Sequence, residues 1–263
     1  MPARRSFGPR AAVTAPAGAP TSPRRGRCTN FLAFAGLLIL FLSPAPARAQ
    51  AGTTLSIFSD LRFRGYSLSD GRPVAILDFA YDDPSGLYAG AAASGVLQQG
   101  GEPAPLGLQF SGGYAKDLSS GTTLDLGITH SSYSHYSSNN GSGGRSYTEV
   151  YAGIAKGALS SRIFISPHYF EGGRWTAYGE VNGSISPARK WTIDGHAGAL
   201  VPLGSSSSSD GYRTQFDWRL GVSRELGRLS LHAAWSDGTP GRDYYNGRTH
   251  SRSAIVLGAS LVL

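Results

Sequence analysis

In the stretch 59–73, S-D-L-R-F-R-G-Y-S-L-S-D-G-R-P, Asp60, Arg62 and Arg64 alternate with Leu61 and Phe63. In an extended strand that spacing sets three charges on one face and two apolar groups on the other. Comparable alternations place Asp125, Glu149, Arg162, Glu180, Asp194, Asp217 and Arg219 on polar strand faces, together with Asp78, His168, His196 and His232. Burying so many ionisable groups in a dry core is prohibitive, so they either line water or are stitched into ion pairs. A water-filled lumen would use them to set selectivity through its local field and width. The ten residues Asp60, Arg62, Arg64, Asp125, Glu149, Arg162, Glu180, Asp194, Asp217 and Arg219 are therefore the candidate pore-lining set. Asp60, Arg62 and Arg64 are expected at the outer end of a first strand, facing the lumen. There they would brace the pore mouth by mutual ion pairing or attract anionic solute. The set mixes acids and arginines too evenly to declare a selectivity.

Catalytic arrangements are weak by comparison. His130 with Ser132, or His196 and His232 on opposed strands, could be cast as the Ser-His pair of an outer-membrane lipid hydrolase, but no spacing singles them out. In a chain so rich in serine such pairs arise by chance. The Gly-rich run 141–144 lacks the lysine and the strand-to-helix context of a phosphate-binding loop. The six histidines show no metal-ligand spacing. No catalytic residue, metal or cofactor is expected.

The ends of the chain set its class. Residues 31–42 form a twelve-residue apolar run, preceded by Arg24, Arg25 and Arg27 and followed by Ala47-Arg48-Ala49. That order reads as a secretory signal peptide over 1–49, cleaved near Ala49, because twelve helical residues are too short for about 30 Å of hydrocarbon. Seven arginines and no acid lie in 1–49, which leaves 17 of the 24 basic residues against 17 acids. The basic balance thus belongs to the signal, and nothing in the remainder argues for nucleic acid. Cys28 is the single cysteine and leaves with the signal, so disulfides and thiolate chemistry are excluded from 50–263.

Within 50–263, twelve segments alternate: 54–64, 73–82, 86–97, 105–115, 121–132, 146–156, 160–169, 174–185, 190–201, 213–224, 228–237 and 252–262. Each approaches the 9–11 residues that a tilted strand needs to cross a bilayer. Connections alternate in length: 65–72, 98–104, 133–145, 170–173, 202–212 and 238–251 against 83–85, 116–120, 157–159, 186–189 and 225–227. Only 170–173 breaks the rule. Long loops on one side and short turns on the other are the signature of a transmembrane antiparallel up-and-down β-barrel of about 12 strands, whereas Greek-key crossings scatter loop lengths. Trp175 and Trp235 fall at the long-loop interface, and Tyr81, Tyr114 and Trp191 at the other, as aromatic girdles would.

Ser59 to Gly65, followed by Ser67, Ser69, Asp70, Gly71 and Pro73, resembles the opening motif of the TorF family of porins, proteobacterial outer-membrane barrels. Further matches are G-L-Y-A-G at 86–90, Y-T-E-V-Y-A-G at 147–153, S-P-H-Y-F at 166–170 and G-H-A-G at 195–198. Leu61 departs from the family's usual Tyr, and Leu263 stands where an aromatic is usual. The resemblance implies a Gram-negative cell outer membrane location and a transport role, with no catalytic residue to carry over. The expected function is a porin-like channel for passive diffusion of small solutes. Its expected partners are outer-membrane lipid, the barrel assembly machinery and the solute. The alternatives are a closed structural or surface-binding barrel acting through its external loops, or a lipid hydrolase.

Overall fold

The structure, a computed structural model, describes residues 50–118, 121–134, 145–170, 175–204, 213–239 and 253–263. The expected signal peptide and the loop tracts 141–144 and 205–209 lie outside the described residues. Twelve long strands form the wall: β1 (Gln50–Phe58), β4 (Val74–Asp82), β5 (Leu87–Leu97), β6 (Pro103–Asp117), β7 (Thr122–Tyr133), β8 (Arg145–Lys156), β9 (Leu159–Ser166), β10 (Trp175–Ala188), β11 (Trp191–Leu203), β12 (Gln215–Leu226), β13 (Leu229–Gly238) and β14 (Ala254–Val262). Two short strands, β2 (Arg62–Phe63) and β3 (Tyr66–Ser67), pair only with each other. Each wall strand runs antiparallel to its sequence neighbour, and β1 pairs with both β4 and β14, so the sheet is a closed barrel with no free edge.

Alternation decides which residues face which way. Outward positions carry Ile57, Leu77, Phe110, Leu126, Val150, Ile163, Val181, Leu220 and Ile255, all exposed. A continuous apolar belt of this extent has no place on a protein surrounded by water, but it matches a hydrocarbon layer. Tyr81, Tyr114 and Trp191 cluster toward the short-turn end, and Trp175 and Trp235 toward the long-loop end. Replacing Leu126, at the middle of the belt, with Arg is expected to cost about 2–4 kcal/mol of folding stability in lipid vesicles, measured by urea titration of the refolded barrel.

Inward positions alternate between large rings and glycines that receive them. An added Cβ on Gly127 would stand 2.5 Å from the Tyr151 ring. Gly127→Val should therefore cost about 1–3 kcal/mol by overpacking, read as a lowered urea midpoint, whereas Gly179→Ala, with open space around it, should not.

The turns β4–β5, β6–β7, β8–β9, β10–β11 and β12–β13 are all short, and the opposite connections are longer. At 83–86, the Ser85 amide donates to Asp83 at 2.8 Å, and bonding from Ser85 holds that carboxyl below its usual pKa. The 59–73 segment differs from expectation. The first strand stops at Phe58, and residues 60–69 are buried without interruption instead of alternating. Leu61 and Phe63, expected to face outward, are each 2% exposed. Residues 66–69, expected in an external loop, are buried too. The reason is a reversal at Arg64-Gly65 that folds the chain back into the barrel. The strand expected at 160–169 similarly ends at Ser166, and Tyr169 and Phe170 turn inward.

Candidate functional site

The interior is organised around the β2–β3 hairpin. Its two-residue turn places Arg64 at φ 47° and Gly65 at φ 80°. Two successive positive φ values suit the right-handed twist of a tight hairpin, and glycine takes the second at no steric cost. An arginine at the first costs on the order of 1–2 kcal/mol. Its side chain supplies the compensation. The two terminal nitrogens of Arg64 donate to the two carboxylate oxygens of Glu149 at 2.9 and 2.8 Å. Its guanidinium lies 3.9 Å from the centre of the Tyr178 ring, 4.8 Å from Phe63, 5.0 Å from Tyr169 and 5.4 Å from Phe164. A fork-to-fork ion pair inside an aromatic cage is the geometry in which arginine outperforms lysine.

Much of the hairpin's bonding is internal. Asp60 accepts from the Ser67 hydroxyl at 2.5 Å and the Ser69 hydroxyl at 2.8 Å, with Arg62 beside it at 3.5 Å. Arg62 also donates to the Gly65 carbonyl at 2.8 Å, the Leu68 amide to the Leu61 carbonyl at 2.8 Å, and the Leu61 amide to the Ser69 hydroxyl at 2.9 Å. Serine at 67 and 69 thus supplies the donors that a buried aspartate requires. Tyr147, Tyr169 and Phe170 form an aromatic tier against Phe63, with ring centres 4.6 to 4.9 Å apart among the three.

Three more charge groups sit on the surrounding wall. Asp125, 1% exposed, accepts two bonds from Arg162 at 2.9 and 2.7 Å and one from the Tyr88 hydroxyl, which also contacts Tyr151. Arg219 donates to Asp194 at 2.7 Å. Asp217 lies 2.8 Å from His196 and also accepts from Tyr178, whose ring covers Arg64. The other nitrogen of His196 meets Asn182 at 2.7 Å, and Asn182 donates to Glu180 at 3.2 Å. A cavity of about 20 Å³, large enough for one water, remains between Phe58, Arg62, Arg219 and His232.

All ten candidate residues are therefore inside the barrel, but not as one charged stripe. Asp60, Arg62 and Arg64 belong to the inserted hairpin, and the other seven to the wall. Arg64 pairs with Glu149, 85 positions away, rather than chiefly with its neighbours. Of the other polar-face candidates, His168 lies past the end of β9 and is exposed. His130 and Ser132 point outward on β7, and His130 contacts Thr148 at 2.9 Å. His232 is buried against Ser260 at 3.0 Å. Among the described residues no cluster suited to a metal ion forms. Sequence reasoning missed Tyr88, Tyr147, Tyr151 and Tyr178 as site residues. Parity could have found three of them, since Tyr147 and Tyr151 flank Glu149 and Tyr178 precedes Glu180 on the inward face.

The fold is similar to solved porin structures. The NanC porin matches with a TM-score of 0.51 at 12% identity, covering 81% of this chain and 100% of that one. The KdgM porin matches with a TM-score of 0.48 at 10% identity, over 81% of this chain and 98% of that one. The outer membrane phospholipase A from Escherichia coli matches with a TM-score of 0.43 at 12% identity, over 83% of this chain and 98% of that one. At 12% identity the likeness to the NanC porin speaks to the fold alone. No curated protein matches the sequence. The family model for Gcw_chp, described as a bacterial protein of unknown function, matches residues 45–259, and the chain belongs to that family.

Proposed function

We propose that the protein is exported through its signal peptide to the outer membrane, inserts there with the barrel assembly machinery, and acts as a porin-like channel for passive diffusion of small solutes. The observation that carries this reading is a closed barrel that is apolar outside and polar within. Toward the short-turn end several inward residues are small or polar, as at Thr54, Asp78, Ala80, Ser111, Ser160 and Ser184. These six are only half-buried although they face the interior, which supports access of water from that end. A wall of paired charges would let water and small polar solutes pass once the lumen is open, while the pairs hold the wall.

The resemblance to TorF-family porins supports the same reading. The segments that carry it meet in one network: the hairpin, Glu149, Tyr169 and Phe170 directly, and Tyr88 and His196 through Tyr151 and Tyr178. The favoured second reading, a closed barrel acting through its external loops, is supported by the hairpin's filling of the lumen. Planar-bilayer recording separates them. The channel reading expects discrete conductance steps from purified folded protein, and their absence even after the hairpin is removed would refute it.

A further inference from the structure

Phe58 and Val74 are direct partners in the β1–β4 ladder. Two residues suffice to join antiparallel strands at that register. The chain instead places fifteen, 59–73, and buries ten in succession. The insertion is therefore not needed to close the barrel. We propose that the 59–73 hairpin is a displaceable plug, latched into the lumen by the Arg64–Glu149 pair, and that its departure opens the channel. This deepens the channel reading and rests on it.

Three features make the hairpin fit to move as a unit. Asp60, Ser67, Ser69, Leu61 and Leu68 bond to one another, so those groups travel with their partners rather than being stripped of them. The charged contact to the wall is concentrated at the tip, where Arg64 must leave Glu149. Backbone strain resides at the tip, where Arg64 holds a positive φ, and near the hinge, where Asp70 does, and the contacts of the Arg64 side chain offset the strain at the tip. Both ends of the hairpin are anchored to adjacent strands at the long-loop end, which gives a hinge at 59 and 73.

The mature chain contains no cysteine, so an engineered tether reports on one bond. A Cβ built on Gly65 lies 3.1 Å from the Asp217 Cβ, closer than the usual disulfide spacing of about 3.5–4.5 Å, and a cysteine at φ 80° is strained, so the tether forms only with a small backbone shift at the tip and its formation is checked by mass spectrometry before recording. The experiment compares single-channel recordings of wild type, Glu149→Gln, the Gly65→Cys/Asp217→Cys double variant before and after reduction, and a variant with 59–73 replaced by Asn-Gly. The replaced barrel should stay open, Glu149→Gln should raise open probability about tenfold over wild type, and the tethered protein should conduct only when reduced. Equal conductance of oxidised and reduced tether, with the replaced barrel conducting, would make the hairpin a fixed constriction and overturn the plug while leaving the channel reading intact. A silent replaced barrel, shown folded by its heat-modifiable gel mobility, would overturn both. The tether compares one folded protein with itself, so the plug stays testable even where Glu149→Gln folds poorly.

Discussion

Glu149→Ala is expected to release the hairpin from the lumen, with a loss of about 3–5 kcal/mol in the stability of its inserted state. Glu149 is 1% exposed and Arg64 is 5% exposed, so removing the carboxylate leaves a guanidinium without its counter-charge amid four rings. Arginine cannot shed its proton to escape that cost, and the cation–π contacts, already present in wild type, do not replace the lost counter-charge. The cheapest response is for residue 64 to reach water, which means withdrawal of the hairpin. The wall ladders do not pass through the Glu149 side chain, so the strands should stay paired. Amide exchange over 61–69 should quicken by roughly two to four orders of magnitude, because each 1.4 kcal/mol is a factor of ten. Exchange in β7 and β8 should hardly change. Arg64→Met combined with Glu149→Leu should restore slow exchange, since an apolar pair removes both charges together. Slow exchange at 61–69 in Glu149→Ala would show that packing by Leu61, Phe63 and Leu68 holds the hairpin without the ion pair.

The contrast between wall and hairpin also explains what could be read in the sequence. Most wall strands obey period-two alternation because one face meets an apolar exterior and the other a polar interior, though β5, with its run of Ala and Gly, shows almost no preferred face. Leu220 and Arg219 illustrate it: neighbours in sequence, they face opposite solvents. Residues 60–64 alternate just as cleanly, yet the alternation does not mean inside and outside there. In a hairpin enclosed by a barrel both faces are buried, so Leu61 and Phe63 pack against the wall while Asp60 and Arg62 bond within the hairpin. Periodicity reports two environments without saying which two. The clues to the reversal were local: a glycine after Arg64, and Ser67 and Ser69 at the spacing that lets their hydroxyls reach back to Asp60. The ten charged candidates were legible as interior residues. Their pairing was not, because Arg64–Glu149 and Asp125–Arg162 depend on how far apart closure of the barrel brings strands 85 and 37 positions distant.

Asp125→Ala tests whether the Asp125–Arg162 charge group on the wall serves the wall rather than the hairpin. Asp125 gathers Arg162 from β9 and Tyr88 from β5 across β7, so three strands depend on one carboxylate. Its removal should cost about 3 kcal/mol of barrel stability, at the low end for a broken buried pair. The low end is expected because Glu180 lies directly across from Arg162 in the β9–β10 ladder and can take over part of the pairing. Asp125→Asn keeps an acceptor for Tyr88 and should cost less, about 1–3 kcal/mol, the range for a buried group left short of its partner. Urea titration followed by heat-modifiable gel mobility measures both. The decisive arm is Asp125→Ala with Arg162→Met: recovery of most of the loss assigns it to the stranded arginine, and no recovery assigns it to the unsupported Tyr88 hydroxyl. In either case amide exchange over 61–69 should keep its wild-type rate relative to the wall. A hairpin loosened selectively by Asp125→Ala would mean that the two charge groups are mechanically one, and that the Arg64–Glu149 pair is not a separate latch.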